Sequence, residues 1–209
     1  MKRVLSLKLC GVFLAVGLLL GASGSAYSTV HVTGSVSAST SNVPMQTFES
    51  QAASGSLGID LGNYIRLGVT HKQEFQISSG YKDTSTSTEP TTATSTYVEF
   101  YSRTHIVSNS LDLTLILYEG QIFLPYLTLG AVVKNYRFET QEEGQASEIR
   151  KGSMGPVPNV GGGIGFRLNK DFTLKFAFTA SPGLAQDPGE EKPTSTWDRN
   201  TSVGLTYAL

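Results

Sequence analysis

The sequence predicts an all-β chain: an eight-stranded antiparallel transmembrane β-barrel, wound as an up-and-down meander. Three observations carry this prediction. Apolar residues recur at every second position in segment after segment, so that each segment has one apolar face and one polar or very small face. The links between segments alternate between tight turns and long polar stretches. Beyond the N-terminal stretch, no unbroken apolar run reaches the roughly 18 residues that a membrane-crossing helix needs.

Composition narrows the class further. The chain has 209 residues, of which 16% are charged, 10% are aromatic and one is cysteine. Charge well below the ~25% of ordinary soluble domains, together with this aromatic content, argues against disorder and coiled coils. A formal charge of −1 offers no electrostatic footprint for nucleic acid.

The N-terminus reads as an export signal. Lys2, Arg3 and Lys8 precede the apolar run Leu9–Leu20, and Gly21 to Ala26 are small, which is the charged, apolar and small-residue order of a secretory signal peptide. Gly24 and Ala26 place the cut after residue 26, leaving 27–209 as the barrel domain. Cys10 leaves with the signal, so thiol catalysis, thiolate metal sites and disulfides are excluded from the mature chain.

Strands are expected near 28–38, 47–61, 64–77, 94–118, 122–138, 156–168, 172–180 and 199–209. Leu57, Ile59 and Leu61 oppose Ser56, Gly58 and Asp60; after Gly62-Asn63, Ile65, Leu67 and Val69 oppose Arg66, Gly68 and Thr70. Leu111, Leu113, Leu115 and Leu117 oppose Asp112, Thr114 and Ile116, and Leu127, Leu129, Ala131 and Val133 oppose Thr128, Gly130 and Lys134. Val160, Ile164 and Phe166 oppose Gly161, Gly163, Gly165 and Arg167; Phe172, Leu174, Phe176 and Phe178 oppose Thr173, Lys175 and Ala177; Val203, Leu205 and Tyr207 oppose Gly204 and Thr206. Gly62-Asn63, Glu119-Gly120-Gln121 and Asn169-Lys170-Asp171 form the tight links, whereas 39–46, 78–93, 139–155 and 181–198 form the long ones. Short periplasmic turns and long extracellular loops are the signature of bacterial outer-membrane barrels.

One segment strains the pattern. Within 94–118 the apolar phase moves from even positions, Val98 and Phe100, to odd ones from Leu111 onward. A bulge between Ile106 and Ser110 would restore the phase of one long strand. A hairpin at Ser108-Asn109-Ser110 is the alternative, and it would make nine strands.

The segment Leu124-Pro-Tyr-Leu-Thr-Leu-Gly-Ala, the glycine-rich Val160-Gly-Gly-Gly-Ile-Gly-Phe-Arg-Leu and the final Ser202-Val-Gly-Leu-Thr-Tyr-Ala-Leu carry a resemblance. Over the whole mature chain it resembles the small bacterial outer-membrane β-barrels of the opacity and OmpA-like transmembrane group. The resemblance implies residence in the outer membrane, contact with its lipids, and assembly by machinery that reads the last strand. Such chains usually end in an aromatic residue, whereas this one ends in Leu209 with Tyr207 two positions before.

An eight-stranded interior is just wide enough for side chains to fill. The inward set is expected to be Asp60, Arg66, Lys72, Glu74, Glu99, Arg103, Asp112, Lys134, Arg167 and Lys175, with Lys72, Glu74, Glu99 and Arg103 in solvated strand extensions. Asp60, Arg66, Asp112, Lys134, Arg167 and Lys175 are expected to form a luminal ion-pair network, in which Asp60 and Asp112 each serve more than one base. Two aromatic girdles are expected: Phe123, Phe172 and Tyr207 at the short-turn end, and Phe75, Phe100, Tyr136, Phe138 and Phe178 at the long-loop end.

Chemistry-bearing motifs are scarce. His31, His71 and His105 have no metal-ligand spacing, and the glycines of 161–165 are not followed by the Lys-Ser/Thr of a phosphate loop. Ser102, Glu99 and His105 supply the residue types of a hydrolase triad without its pattern. No catalytic site, metal or cofactor is expected. The expected role is structural or adhesin-like interaction at the cell surface, with an extracellular ligand the sequence does not identify. The alternatives are a small passive porin-like channel and an outer-membrane lipid-modifying enzyme.

Overall fold

The computed structural model describes residues 29–43, 45–83, 97–144, 146–185 and 194–209. The expected signal peptide, 1–26, lies outside the described residues, as do 84–96 and 186–193. The described residues form eight strands: β1 (Val30–Val43), β2 (Gln46–Asp60), β3 (Ile65–Asp83), β4 (Tyr97–Ile116), β5 (Phe123–Glu142), β6 (Glu148–Arg167), β7 (Phe172–Ala185) and β8 (Thr194–Ala208). Each pairs antiparallel with its sequence neighbour, and β8 returns to β1 from His31↔Ala208 to Val36↔Val203, so the sheet closes into a barrel. Closure pairs the backbone groups that an open sheet would leave exposed to hydrocarbon.

The strands run further into the connections than the alternation of apolar residues indicates. β5 continues to Glu142 and β6 begins at Glu148, and only two residues separate β1 from β2, so most of the stretches 139–155 and 39–46 is strand. The β1 extension is rich in Ser and Thr and those of β5 and β6 in charged residues, so the ladder continues there without an apolar outer face.

β4 is a single unbroken strand. Its register runs without a shift from Ile65↔Leu115 to Asp83↔Tyr97 against β3, and from Phe100↔Glu142 to Ile116↔Tyr126 against β5. The bulge expected near Ile106 to Ser110 is therefore absent, and so is the hairpin. Even positions face the interior throughout: Phe100, Ser102, Ile106, Ser108 and Asp112 are all buried. The apolar phase changes because the surroundings change. In the lower barrel the outside is apolar and the inside polar; in the upper barrel the inner face of β4 and β5 carries an apolar core. Ile106, Tyr136 and Phe138 form that dry core, with Met154 and Leu184 packed against it.

The one register shift in this region lies between β5 and β6, at Val132/Lys134. Gly155 sits opposite it with φ +126°, where a Cβ would come within 2.7 Å of the Val132 carbonyl oxygen. Only glycine accepts both the conformation and the close approach.

Outward side chains of the lower barrel form a continuous apolar belt, in which the register aligns Ile59, Leu67, Leu113, Leu129 and Val160 across five strands. Leu111 and Leu129 are more than half exposed, at 54% and 51%, which requires an apolar medium around them. At the short-turn end Phe172 lies 4.9 Å from Tyr207, and Phe123 lies 5.8 Å from Phe166, which gives the expected lower girdle. The upper girdle needs correction. Phe75 and Phe178 are exposed, but Phe100, Tyr136 and Phe138 point into the barrel as its core. At the top of the belt His71 Nδ1 lies 2.9 Å from Asn109 Oδ1, and Gln73 Nε2 lies 3.3 Å from His71 Nε2, a polar border on the outer face.

Two ladders stop part way up. β1 and β8 part above Val36↔Val203, and β6 and β7 part above Val160↔Ala180. The upper β7–β8 hairpin, no longer laddered to either neighbour though Asn200 Nδ2 still donates to Ser37 Oγ at 3.3 Å, touches β5 on the inside of the barrel: the Leu184 amide donates to the Tyr136 hydroxyl oxygen at 3.2 Å.

Candidate functional site

Alternation along each strand delivers the polar groups to the lumen, where they form separate clusters stacked along the barrel axis and not one network. Near the short-turn end, Arg66 Nε donates to Asp60 Oδ1 at 2.7 Å. His31 Nε2 lies 2.6 Å from Asp60 Oδ2 and 2.8 Å from Arg66 Nη2. Asp60 thus serves Arg66 and faces a histidine from the first strand.

Asp112 has a different role from the one expected. Its carboxylate accepts from Ser110 Oγ at 2.5 Å, Thr70 Oγ at 3.4 Å and Asn159 Nδ2 at 2.9 Å, and among the described residues it pairs with no base. Hydroxyl and amide donors from three strands satisfy the charge in place of cations.

Higher in the lumen, Lys72 Nζ lies 2.6 Å from Glu74 Oε2, while Ser50 and Gln76 donate to the other carboxylate oxygen. This pair faces the interior instead of projecting into solvent. Glu99 and Arg103, by contrast, take odd positions on β4 and face outward, Arg103 lying 5.7 Å above the Phe75 ring that stacks on His105. Their predicted inward placement fails because the shift assumed within β4 does not occur.

Lys134 is buried and paired with a residue that sequence reasoning missed. Its Nζ lies 2.6 Å from Asp198 Oδ2 and donates to the Pro182 carbonyl at 2.8 Å, and the Tyr136 hydroxyl donates to the same Asp198 oxygen at 3.3 Å. Two side chains of β5 thereby hold both strands of the β7–β8 hairpin against the inner wall. Asp198 falls in a stretch that the sequence reads as a loop; continuing the alternation of Thr206, Gly204 and Ser202 upward through Asn200 would have found it.

Arg167 sits at the short-turn rim, where its Nη2 meets Glu119 Oε1 at 3.3 Å and both side chains are well exposed. Lys175 points into the lumen without any carboxylate partner, its Nζ 5.6 Å from the centroid of the Tyr126 ring. Asp60, Arg66, Asp112, Lys134, Arg167 and Lys175 therefore divide among several clusters. His31, Tyr126, Tyr136, Asn159 and Asp198 also face the interior.

Two spaces flank the Lys134–Asp198 contact. A lower cavity of about 230 Å³ includes Arg66, Tyr126, Asp112, Lys134 and Lys175 in its wall. A vestibule of about 1370 Å³ opens toward the long-loop end between β2–β4 and β7–β8, with Phe48, Phe100, Ser102, Trp197 and Arg199 on its walls.

Ser102 faces inward and is buried, whereas Glu99 and His105 lie on the outer side of the same sheet. The three residue types do not meet. Among the described residues, no group of three His, Cys, Asp or Glu side chains is placed to hold a metal ion.

No protein-family model matches the chain, and no curated protein matches it. Among solved structures it is similar to the N-terminal β-barrel domain of Pseudomonas aeruginosa OprF, at 14% identity over 87% of this chain and 97% of that one, with a TM-score of 0.49. A major outer membrane protein from Thermus thermophilus is similar at 12% identity over 88% of this chain and 100% of that one, with a TM-score of 0.49. Neisserial surface protein A is similar at 15% identity over 90% of this chain and 100% of that one, with a TM-score of 0.42. These are likenesses of fold; the barrel architecture itself stands on the strand pairing described above.

Proposed function

We propose that this chain is an integral outer-membrane barrel with a sealed lumen, exported by its N-terminal stretch, whose activity is non-catalytic interaction at the cell surface through its long-loop end. The blocked mid-lumen carries the reading. Lys134, Asp198 and Tyr136 tie the β7–β8 hairpin across the interior, beside the dry Ile106–Tyr136–Phe138 core. A conducting path needs continuous water, which a bridged constriction next to an apolar core opposes.

The apolar belt supports lipid as the surrounding medium, and the last strand, ending in Tyr207-Ala208-Leu209, is the segment offered to the assembly machinery. The vestibule with its exposed Trp197 supports recognition on the far side from the short turns. The test is adhesion of intact cells to protein-coated and cell surfaces. Expression should raise adhesion, and shortening 84–96 and 186–193 should abolish the gain while the barrel still assembles. Equal adhesion with and without the protein would refute the surface role.

A further inference from the structure

Along the lumen, the acids Asp60, Glu74, Asp112 and Asp198 face the bases Arg66, Lys72, Lys134 and Lys175. Three of these bases have a carboxylate partner: Arg66 with Asp60, Lys72 with Glu74 and Lys134 with Asp198, each within 2.7 Å. Asp112 is satisfied by neutral donors. Lys175 is left over: among the described residues its Nζ lies over the Tyr126 ring, 5.6 Å from the centroid, and has neither an ion pair nor a hydrogen bond. An ammonium withdrawn from bulk water is stable only with a counter-charge or strong acceptors around it.

Two more donors face the same cavity unused. Arg66 commits Nε to Asp60 and turns Nη2 toward His31, which leaves Nη1 free. The Tyr126 hydroxyl makes no hydrogen bond among the described residues either, and Arg66, Tyr126 and Lys175 all line the 230 Å³ space. Glycine lines the space: Gly204 stands beside Lys175 across the β7–β8 ladder, and the Arg66 stem lies close to where a Cβ on Gly58 would sit, 2.9 Å from Cδ. Arg66 is paired with Asp60 and Asp112 is satisfied by neutral donors, so Lys175 is the base of this cavity wall without a carboxylate at contact distance among the described residues.

We propose that the lower cavity is a binding site for a small monovalent anion, a halide or a compact oxyanion, held by Lys175 Nζ, Arg66 Nη1 and the Tyr126 hydroxyl. The anion supplies an acceptor for all three donors and a counter-charge for Lys175. It acts as a structural ligand of the barrel interior, a role distinct from the surface activity proposed above.

The full chain, refolded in detergent micelles, is titrated with sodium chloride or sodium nitrate against a bulky sulfonate too large for the cavity, at fixed ionic strength. The unfolding midpoint should rise saturably with the small anion, as for any ligand that binds only the folded state. Lys175→Met, which keeps the length but removes the charge, should lose this response; Lys72→Met, which alters a lysine that already has its carboxylate, should keep it. Chloride-35 line broadening by the folded wild type, absent with Lys175→Met, gives a second readout that the wild type alone can fail. A wild-type midpoint indifferent to the anion and no broadening would overturn the proposal. So would an equal response in both variants, which would mark a surface salt effect.

Discussion

Asp198→Ala should destabilise the barrel by about 3 kcal/mol, the lower end of the ~3–5 kcal/mol range for breaking one side of a buried ion pair. The structure sets the value in that range. Lys134 is 5% exposed and would be left with only the Pro182 carbonyl at 2.8 Å, while Asp198 keeps a side-chain accessibility of 23%, so part of the pair is already screened. Lys134→Met should cost less, about 2 kcal/mol, because the remaining carboxylate keeps the Tyr136 hydroxyl and some water. The double variant Lys134→Met/Asp198→Ala leaves neither charge without its partner and should cost about 3 kcal/mol instead of the roughly 5 kcal/mol sum of the singles, a coupling of about 2 kcal/mol in the cycle. Urea unfolding of the refolded protein, followed by the fluorescence of Trp197, the single tryptophan and a β8 residue, measures all four corners. Additive single effects, with a coupling below about 0.5 kcal/mol, would refute the view that this pair bridges the lumen.

The belt and the interior make further predictions. Leu113→Arg, in the middle of the aligned apolar row, should cost ~2–4 kcal/mol, and Leu117→Arg at the short-turn end ~1 kcal/mol or less, with Thr114→Ser near neutral; equal tolerance in an assembly assay would contradict the belt. Asp112→Ala should cost only ~1–3 kcal/mol by stranding Ser110, Thr70 and Asn159, less than a broken ion pair of equal burial, as unfolding curves would show. Gly163→Val should be destabilising by ~1–3 kcal/mol, because a Cβ there meets the Phe176 carbonyl and the Tyr126 hydroxyl; a wild-type midpoint would show that the wall has slack. Tags at Thr88, Gly144 or Gly189 should be labelled on intact cells and one at Lys170 should not; the reverse pattern would invert the topology.

The lower barrel was legible because lipid imposes a simple rule. Where apolar residues face outward and polar ones inward, as in Leu111 to Leu117 or Phe172 to Phe178, the two-residue period gives strand, face and order together. Above the belt that rule reverses. Phe100, Ile106, Tyr136 and Phe138 are apolar because they fill the interior, so the same period read with a lipid-facing assumption gave a false phase change in β4 and a false girdle. The charged residues were readable as inward groups but not as pairs. Lys134 and Asp198 are 64 positions apart, and His31 meets Asp60 only because the chain's first strand closes the ring; no local spacing encodes either contact. Asp112 looked like an ion-pair partner by residue type, yet its environment of Ser110, Thr70 and Asn159 depends on the registers of β3–β4 and β5–β6.

Planar-bilayer recording of the refolded protein tests the sealed barrel most directly. A lumen bridged by Lys134, Asp198 and Tyr136 beside an apolar core predicts no steady conductance from the wild type at any holding potential that leaves the bilayer intact. Long-lived channels of uniform step size from the wild type would contradict it and make the barrel a pore.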